Sequence, residues 1–258
     1  MFNILFRKNN LDKKAIKFFK KNEEKINKIF SLLQDKKSKK TYKKILKLHC
    51  FKGNTNICNS YVNTQYFPRN IIKLSNNETF VDCGACNGDT VLKFIKKNKN
   101  KYKKIIAFEA NFNNFKILEK WKKRIDNMST FNLALCNKKS KSYFLLKTNL
   151  TSKLILKNKK NFKKNKNYVI VQTEKIDNIK DCANMTLLKM DIEGAELKAL
   201  IGSKNTIRKN KPKMAISIYH SYKDLINIAW WIINLNMNYK LYIRHYSKDY
   251  RETILYAI

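Results

Sequence analysis

The sequence predicts an α/β fold: a mostly parallel, seven-stranded sheet with helices on both faces, closed by a C-terminal antiparallel hairpin and preceded by a helical extension. Three observations predict it. From about Glu78 onward, short apolar runs alternate with segments of helical periodicity, the βαβα rhythm of a sheet whose crossovers are helices. Glycine is scarce, five in 258 residues, and Gly84, Gly88 and Gly194 stand just after apolar runs, where a strand must turn sharply into a helix. The last two apolar runs are separated by only seven residues, too few for a helical crossover, so they should pair antiparallel.

Ile16, Phe19, Ile26, Ile29, Phe30 and Leu33 recur at helical spacing, predicting a helix over 13–34. A lysine-rich break at 35–40 follows, then a short helix at 41–48, and these make an extension over 1–65 ahead of a main domain at 66–258. In that domain the expected strands are 79–83, 104–109, 130–135, 186–191, 213–219, 239–245 and 253–258. Helices are expected at 89–97, 111–124, 195–208 and 221–235. Residues 140–146, 153–156 and 168–173 read as extra short strands, an inserted antiparallel piece beside the ligand end. Ligands in such a sheet lie outside the carboxyl ends of the strands.

The chemistry-bearing residues fall at those ends. Asp82-x-Gly84-x-x-x-Gly88 differs from the G-x-G-x-x-G turn that cradles a pyrophosphate. A parallel sheet with a terminal hairpin is characteristic of S-adenosylmethionine-dependent methyltransferases, whose cofactor has no phosphate. It needs close backbone approach at the glycine turn and helix N–H groups for its carboxylate. Asp82 and Asp89 suit its ammonium group. Glu109, beside Ala110, lies 21 positions beyond Gly88, close to the roughly 20-residue offset at which an acid reaches ribose hydroxyls. Asn132 and Ala134, at the end of the third strand, would frame the adenine. On the next turn Asp191 and Glu193 form a carboxylate pair able to contact the cofactor, orient an acceptor hydroxyl, assist its deprotonation or hold a divalent metal. His220 joins them as a candidate base, and Arg244 and His245 fall at the rim as candidate substrate contacts.

Composition narrows the class further. The formal net charge is +37, yet only six of the 56 basic residues are arginine, whereas phosphate-reading proteins lean on its planar bidentate fork. A lysine-biased, solvated surface is the main reading, with an anionic membrane as a possible partner and nucleic acid disfavoured. The six cysteines form no disulfide framework. No apolar run approaches the roughly 18–20 residues that span a bilayer, and the first residues lack the order of a signal peptide, so a cytoplasmic protein is expected.

The blocks VDCGACNGDT, IIAFEAN, NLAL, LLKMDIEGAELKAL, KPKMAISIYH and YIRHY followed by ETILYAI resemble the FkbM-type methyltransferase family in order and spacing, from about Tyr66 to the last residue. The resemblance implies the class I methyltransferase (Rossmann-like) fold, S-adenosyl-L-methionine as cofactor, and O-methylation of a sugar, a glycan or another small hydroxylated metabolite, as in polysaccharide biosynthesis. Where relatives carry Leu-Asp after the inserted strands, this chain has Ile176-Asp177. The alternative is a nucleic-acid methyltransferase on the same fold. It is disfavoured because the fourth-strand turn lacks the proline-containing loop of base-amino methylation, and Pro68 and Pro212 lie elsewhere. A non-catalytic basic binding protein would leave the acid and glycine turns unexplained.

Overall fold

A computed structural model describes residues 11–51, 64–145, 153–155, 168–249 and 251–258. The chain divides into two compact units, one formed by 66–217 with 258, the other by 1–65 with 218–257.

The larger unit holds five parallel strands. They are β1 (Thr79–Cys83), β2 (Lys104–Phe108), β3 (Met128–Phe131), β8 (Leu187–Met190) and β9 (Lys213–Ser217). Their order is β9-β8-β1-β2-β3, with Asp82 in register with Lys189 on one side and Ala107 on the other. Every residue of β1 and β8 is buried, as expected for strands covered on both faces. Helix α4 (Asp89–Lys97) follows β1, and α5 (Phe112–Lys122) follows β2, its N-terminus capped by the Asn111 side chain.

Two expected elements are broken, each for a local reason. The third strand ends at Phe131, and Ala134–Leu135 forms β4 of a second sheet, because the Asn132 amide turns back to donate to the Glu109 and Ala110 carbonyls at 2.8 and 3.2 Å. That second sheet runs β4-β7-β5-β6, with β5 at Ser140–Leu145, β6 at Lys153–Ile155 and β7 at Tyr168–Glu174. It is antiparallel except for the β4–β7 pair. The helix expected over 195–208 splits into α6 (Glu196–Ile201) and α7 (Lys204–Asn210). At the split, a Cβ on Gly202 would stand 2.1 Å from the Cys136 carbonyl oxygen. Asp177 helps to start α7, its carboxylate accepting from the Asn205 and Thr206 N–H groups and the Thr206 hydroxyl.

The smaller unit contains α1 (Lys13–Lys21), α2 (Glu23–Leu32), α3 (Lys36–His49), α8 (Asp224–Ile233) and the antiparallel pair β10 (Leu241–His245) and β11 (Thr253–Ala257). The single helix expected over 13–34 is two helices meeting at Asn22, whose amide donates to the Phe18 carbonyl. The expected lysine-rich break is helical instead. Asp35 caps α3 by accepting from the Ser38 N–H at 2.7 Å, and the lysines after it are adequate helix formers with their charges in solvent. Ala15, Phe19, Ile26, Ile29, Tyr42 and Ile45 are buried beneath them.

Candidate active site

The carboxyl ends of β1, β2 and β8 meet through their backbones. Gly84 and Ala85 N–H both donate to the Phe108 carbonyl, at 3.0 and 2.9 Å, folding the β1 turn over the tip of β2. Asp191 N–H donates to the Cys83 carbonyl at 3.0 Å. Gly84 has φ +79°, and a Cβ there would stand 1.9 Å from the Asp191 carbonyl oxygen, so this turn closes only around glycine. Gly88, at φ +90°, faces the side chains of Trp121 and Leu118 instead, at 3.0 and 3.2 Å from a hypothetical Cβ.

Glu109 lies at the centre of this junction and is 7% exposed. Its carboxylate accepts from the Cys86 N–H at 2.9 Å and the Asn111 N–H at 2.6 Å. Burial raises its pKa above the ordinary range, with those two N–H groups pulling it back. Ala110 packs against the small cluster of Ala134, Phe144 and Val171 in the second sheet, so Glu109, Ala110, Asn132 and Ala134 form one neighbourhood. Asp89 is exposed in the first turn of α4 and pairs with Lys93 at 2.9 Å.

The β8 turn carries the second acidic group. Asp191 Oδ2 accepts from the Tyr66 hydroxyl at 2.7 Å. Glu193 and Gly194 both adopt positive φ, +58° and +93°, a tight turn that Glu196 stabilises by accepting from the Ile192 and Gly194 N–H groups. Two residues here escape the sequence reading. Lys189, 2% exposed in the middle of β8, places Nζ 2.8 Å from Asp82 Oδ1 and donates to the Gly84 carbonyl at 2.8 Å. Burial opposes its charge, but Asp82 foremost, with Asp191 and Asp89, raises its pKa above the usual lysine value. A lysine inside an apolar strand is the signal that could have found it. Tyr66, whose ring lies 5.2 Å below that ammonium, has no such signal.

Asp82 is thus fully buried and engaged by Lys189 rather than presented to solvent. His220, Arg244 and His245 belong to the smaller unit. The His220 ring lies against Tyr219 with centroids 4.2 Å apart. His245 Nδ1 is 2.9 Å from Thr253 Oγ1, and burial lowers its pKa. Arg244 is 4% exposed and gives Asp35 a bidentate partner at 2.6 and 3.2 Å, with a further bond to Ser38 Oγ at 2.7 Å. That is the geometry of a structural ion pair.

The pair has a pH signature. Burial raises the Asp35 pKa, but the bonds from Arg244 and Ser38 outweigh it and lower it to about 2. A depressed folded pKa stabilises above the unfolded value of roughly 3.9, and that contribution is lost as pH falls toward 2. Asp35→Asn should therefore flatten the acid side of the stability curve in thermal melts between pH 5 and 2.5. Arg244→Met should destabilise by about 1–3 kcal/mol, the buried-pair range discounted for the part-exposed carboxylate. A mutant with wild-type melting at pH 7 would contradict the structural role.

A parallel sheet with acid-bearing turns at the carboxyl ends of its first, second and fourth strands in chain order is the class I methyltransferase fold. The sequence profile of the methyltransferase FkbM domain matches residues 82–242, and the chain belongs to that family. The crystal structure of methyltransferase FkbM from Methylobacillus flagellatus KT superposes with a TM-score of 0.76 at 24% identity, over 94% of this chain. This chain spans only 60% of that structure's length. An rRNA methylase from Streptococcus thermophilus aligns over 71% of this chain and 87% of its own at 14% identity, TM-score 0.42. No curated protein matches the sequence. Among the described residues, no helix is long and apolar enough to cross a membrane.

Proposed function

We propose that this chain, an S-adenosylmethionine-dependent methyltransferase of the FkbM type, methylates a hydroxyl of a sugar, a glycan or another small hydroxylated metabolite, in the cytoplasm and within polysaccharide biosynthesis. The observation that carries this reading is the β8 turn, where Asp191 stands half-buried at a strand tip with one oxygen fixed by Tyr66. A hydroxyl acceptor must lose its proton as the methyl group arrives, and a fixed carboxylate can orient the hydroxyl and accept that proton. Glu193 and His220 are the further candidates for this work. If a divalent metal takes part, Asp191 and Glu193 would hold it. His245 is a better proposed acceptor contact than Arg244, which Asp35 and Ser38 engage.

The residues present fit the cofactor. Asp82, Glu109 and Asp191 against Lys189 leave the junction net negative, which suits the sulfonium and ammonium charges. Glu109 offers about four lone-pair directions, and its two N–H partners leave capacity for vicinal ribose hydroxyls. The Asn87 amide oxygen takes the Asp89 N–H at 3.3 Å, and the N–H groups that follow it in the first turn of α4 can receive a carboxylate. S-adenosylmethionine supplies an activated methyl group when bound.

We extend the proposal to peripheral attraction by an anionic membrane surface, supported by the exposed stripe of Lys36, Lys40, Lys43 and Lys47 on α3. The deciding experiment incubates the protein with methyl-labelled S-adenosylmethionine and separated cell glycans, small metabolites, lipids and RNA. Label is expected in the glycan or small-metabolite fraction. Label confined to RNA would replace this reading with the nucleic-acid alternative.

A further inference from the structure

Lys189 is the most unusual residue of the larger unit. It occupies a central strand whose four residues are all buried, where an unpaired ammonium would be strongly unfavourable. Its direct register partner on β1 is Asp82, also fully buried. The ammonium touches two separate pieces of chain: β1 and its turn, through the Asp82 carboxylate and the Gly84 carbonyl, each at 2.8 Å, and the face of Tyr66 at 5.2 Å. Tyr66 in turn donates to Asp191, two residues beyond Lys189 on the turn that follows the same strand.

From this geometry we infer that Lys189 is a positioning residue and Asp82 its internal counter-ion, the pair fixing the glycine turn and the Asp191 turn in one arrangement. Asp82 is then no direct ligand of the cofactor ammonium. The physical reason is directional. An ammonium has three donors, and here two are spent on β1 and its turn, so the turn's carbonyl is held inward and its backbone is fixed relative to β8. The Tyr66 ring adds a cation–π contact on the remaining side and delivers its hydroxyl to Asp191. Cofactor turn and acceptor-side carboxylate are thereby set by one buried charge.

The inference rests on the methyltransferase reading for its binding readout, and a charge-removal cycle tests it. Lys189→Met and Asp82→Asn are made singly and together in the full chain, with thermal melting and calorimetric titration of S-adenosylmethionine and its demethylated product. Each single variant leaves one buried group unpaired and should lower the melting temperature by about 6–20 °C. The double variant should recover most of that loss while binding either ligand about 10-fold or more weakly, because the Gly84 carbonyl and the Tyr66 ring have lost their donor. A double variant that binds as tightly as wild type would overturn the positioning role, leaving the pair merely structural. Asp82→Asn that melts like wild type, and no longer prefers the demethylated product over its deaminated analogue, would make Asp82 a direct ligand instead. If even wild type binds neither ligand, the cofactor reading fails, while the melting cycle still decides whether the two residues are a coupled pair.

Discussion

Gly84→Ala is expected to destabilise the larger unit by about 3 kcal/mol or more and to abolish cofactor binding. Two costs add. A left-handed backbone at φ +79° costs a non-glycine residue about 1–2 kcal/mol. The new methyl would also stand 1.9 Å from the Asp191 carbonyl oxygen, and that neighbour is backbone held by its own bond to Cys83, so it cannot rotate aside. Overpacking of this kind costs a further 1–3 kcal/mol, roughly. The turns after β1 and β8 must separate, which displaces the surface that would meet the cofactor. Gly88→Ala is the control. Its φ of +90° carries the same backbone strain, but its new methyl meets the side chains of Trp121 and Leu118, which can yield. Thermal melts should place Gly84→Ala roughly 6–12 °C below wild type and clearly below Gly88→Ala. Equal stability of the two variants would refute the turn-against-turn packing.

Asp191→Asn is expected to keep fold and cofactor affinity while lowering turnover about 10²-fold, the lower end of the range for losing a general base. Asparagine retains an acceptor for the Tyr66 hydroxyl, and the Asp191 N–H bond to Cys83 is backbone, so the turn survives the change. What disappears is the negative charge that would take the acceptor proton. The measurement is methyl transfer into whichever fraction the labelling experiment identifies, together with calorimetry on the same preparation. Unchanged turnover would remove Asp191 from the chemistry and direct attention to His220 and His245. Lost affinity with proportionate loss of turnover would make it a cofactor ligand instead.

Periodicity and punctuation carried much of the architecture. β1 and α4 have the bounds that their apolar run and Gly88 predict, and the seven-residue spacing before the last strand requires the antiparallel pairing of β10 and β11. These are local signals, because a strand's alternation, a helix's repeat and a glycine's φ depend on neighbours within a few residues. The acids at strand ends were legible for the same reason: Glu109 and Asp191 follow apolar runs whose direction is fixed by the parallel sheet.

Interruptions set by distant groups were not legible. The third strand leaves its sheet because Asn132 finds carbonyls from the loop after β2, and the helix after β8 breaks where Gly202 meets Cys136, far off in sequence. The roles of polar groups also waited on the tertiary structure. The sequence placed Arg244 on a rim, but Asp35, 209 positions away, makes it a buried structural cation. Lys189 stands out as a lysine inside an apolar strand, but its partner appears only when strand register sets it opposite Asp82, and Tyr66, at the start of the main domain, gains its role only when its hydroxyl reaches Asp191. The sequence by itself determined the order of elements and the turns on which chemistry can stand. Only the tertiary structure decided which charges are spent inside the protein, because a charge's role depends on its desolvation and on the partner within about 3–4 Å, and long-range pairing selects both.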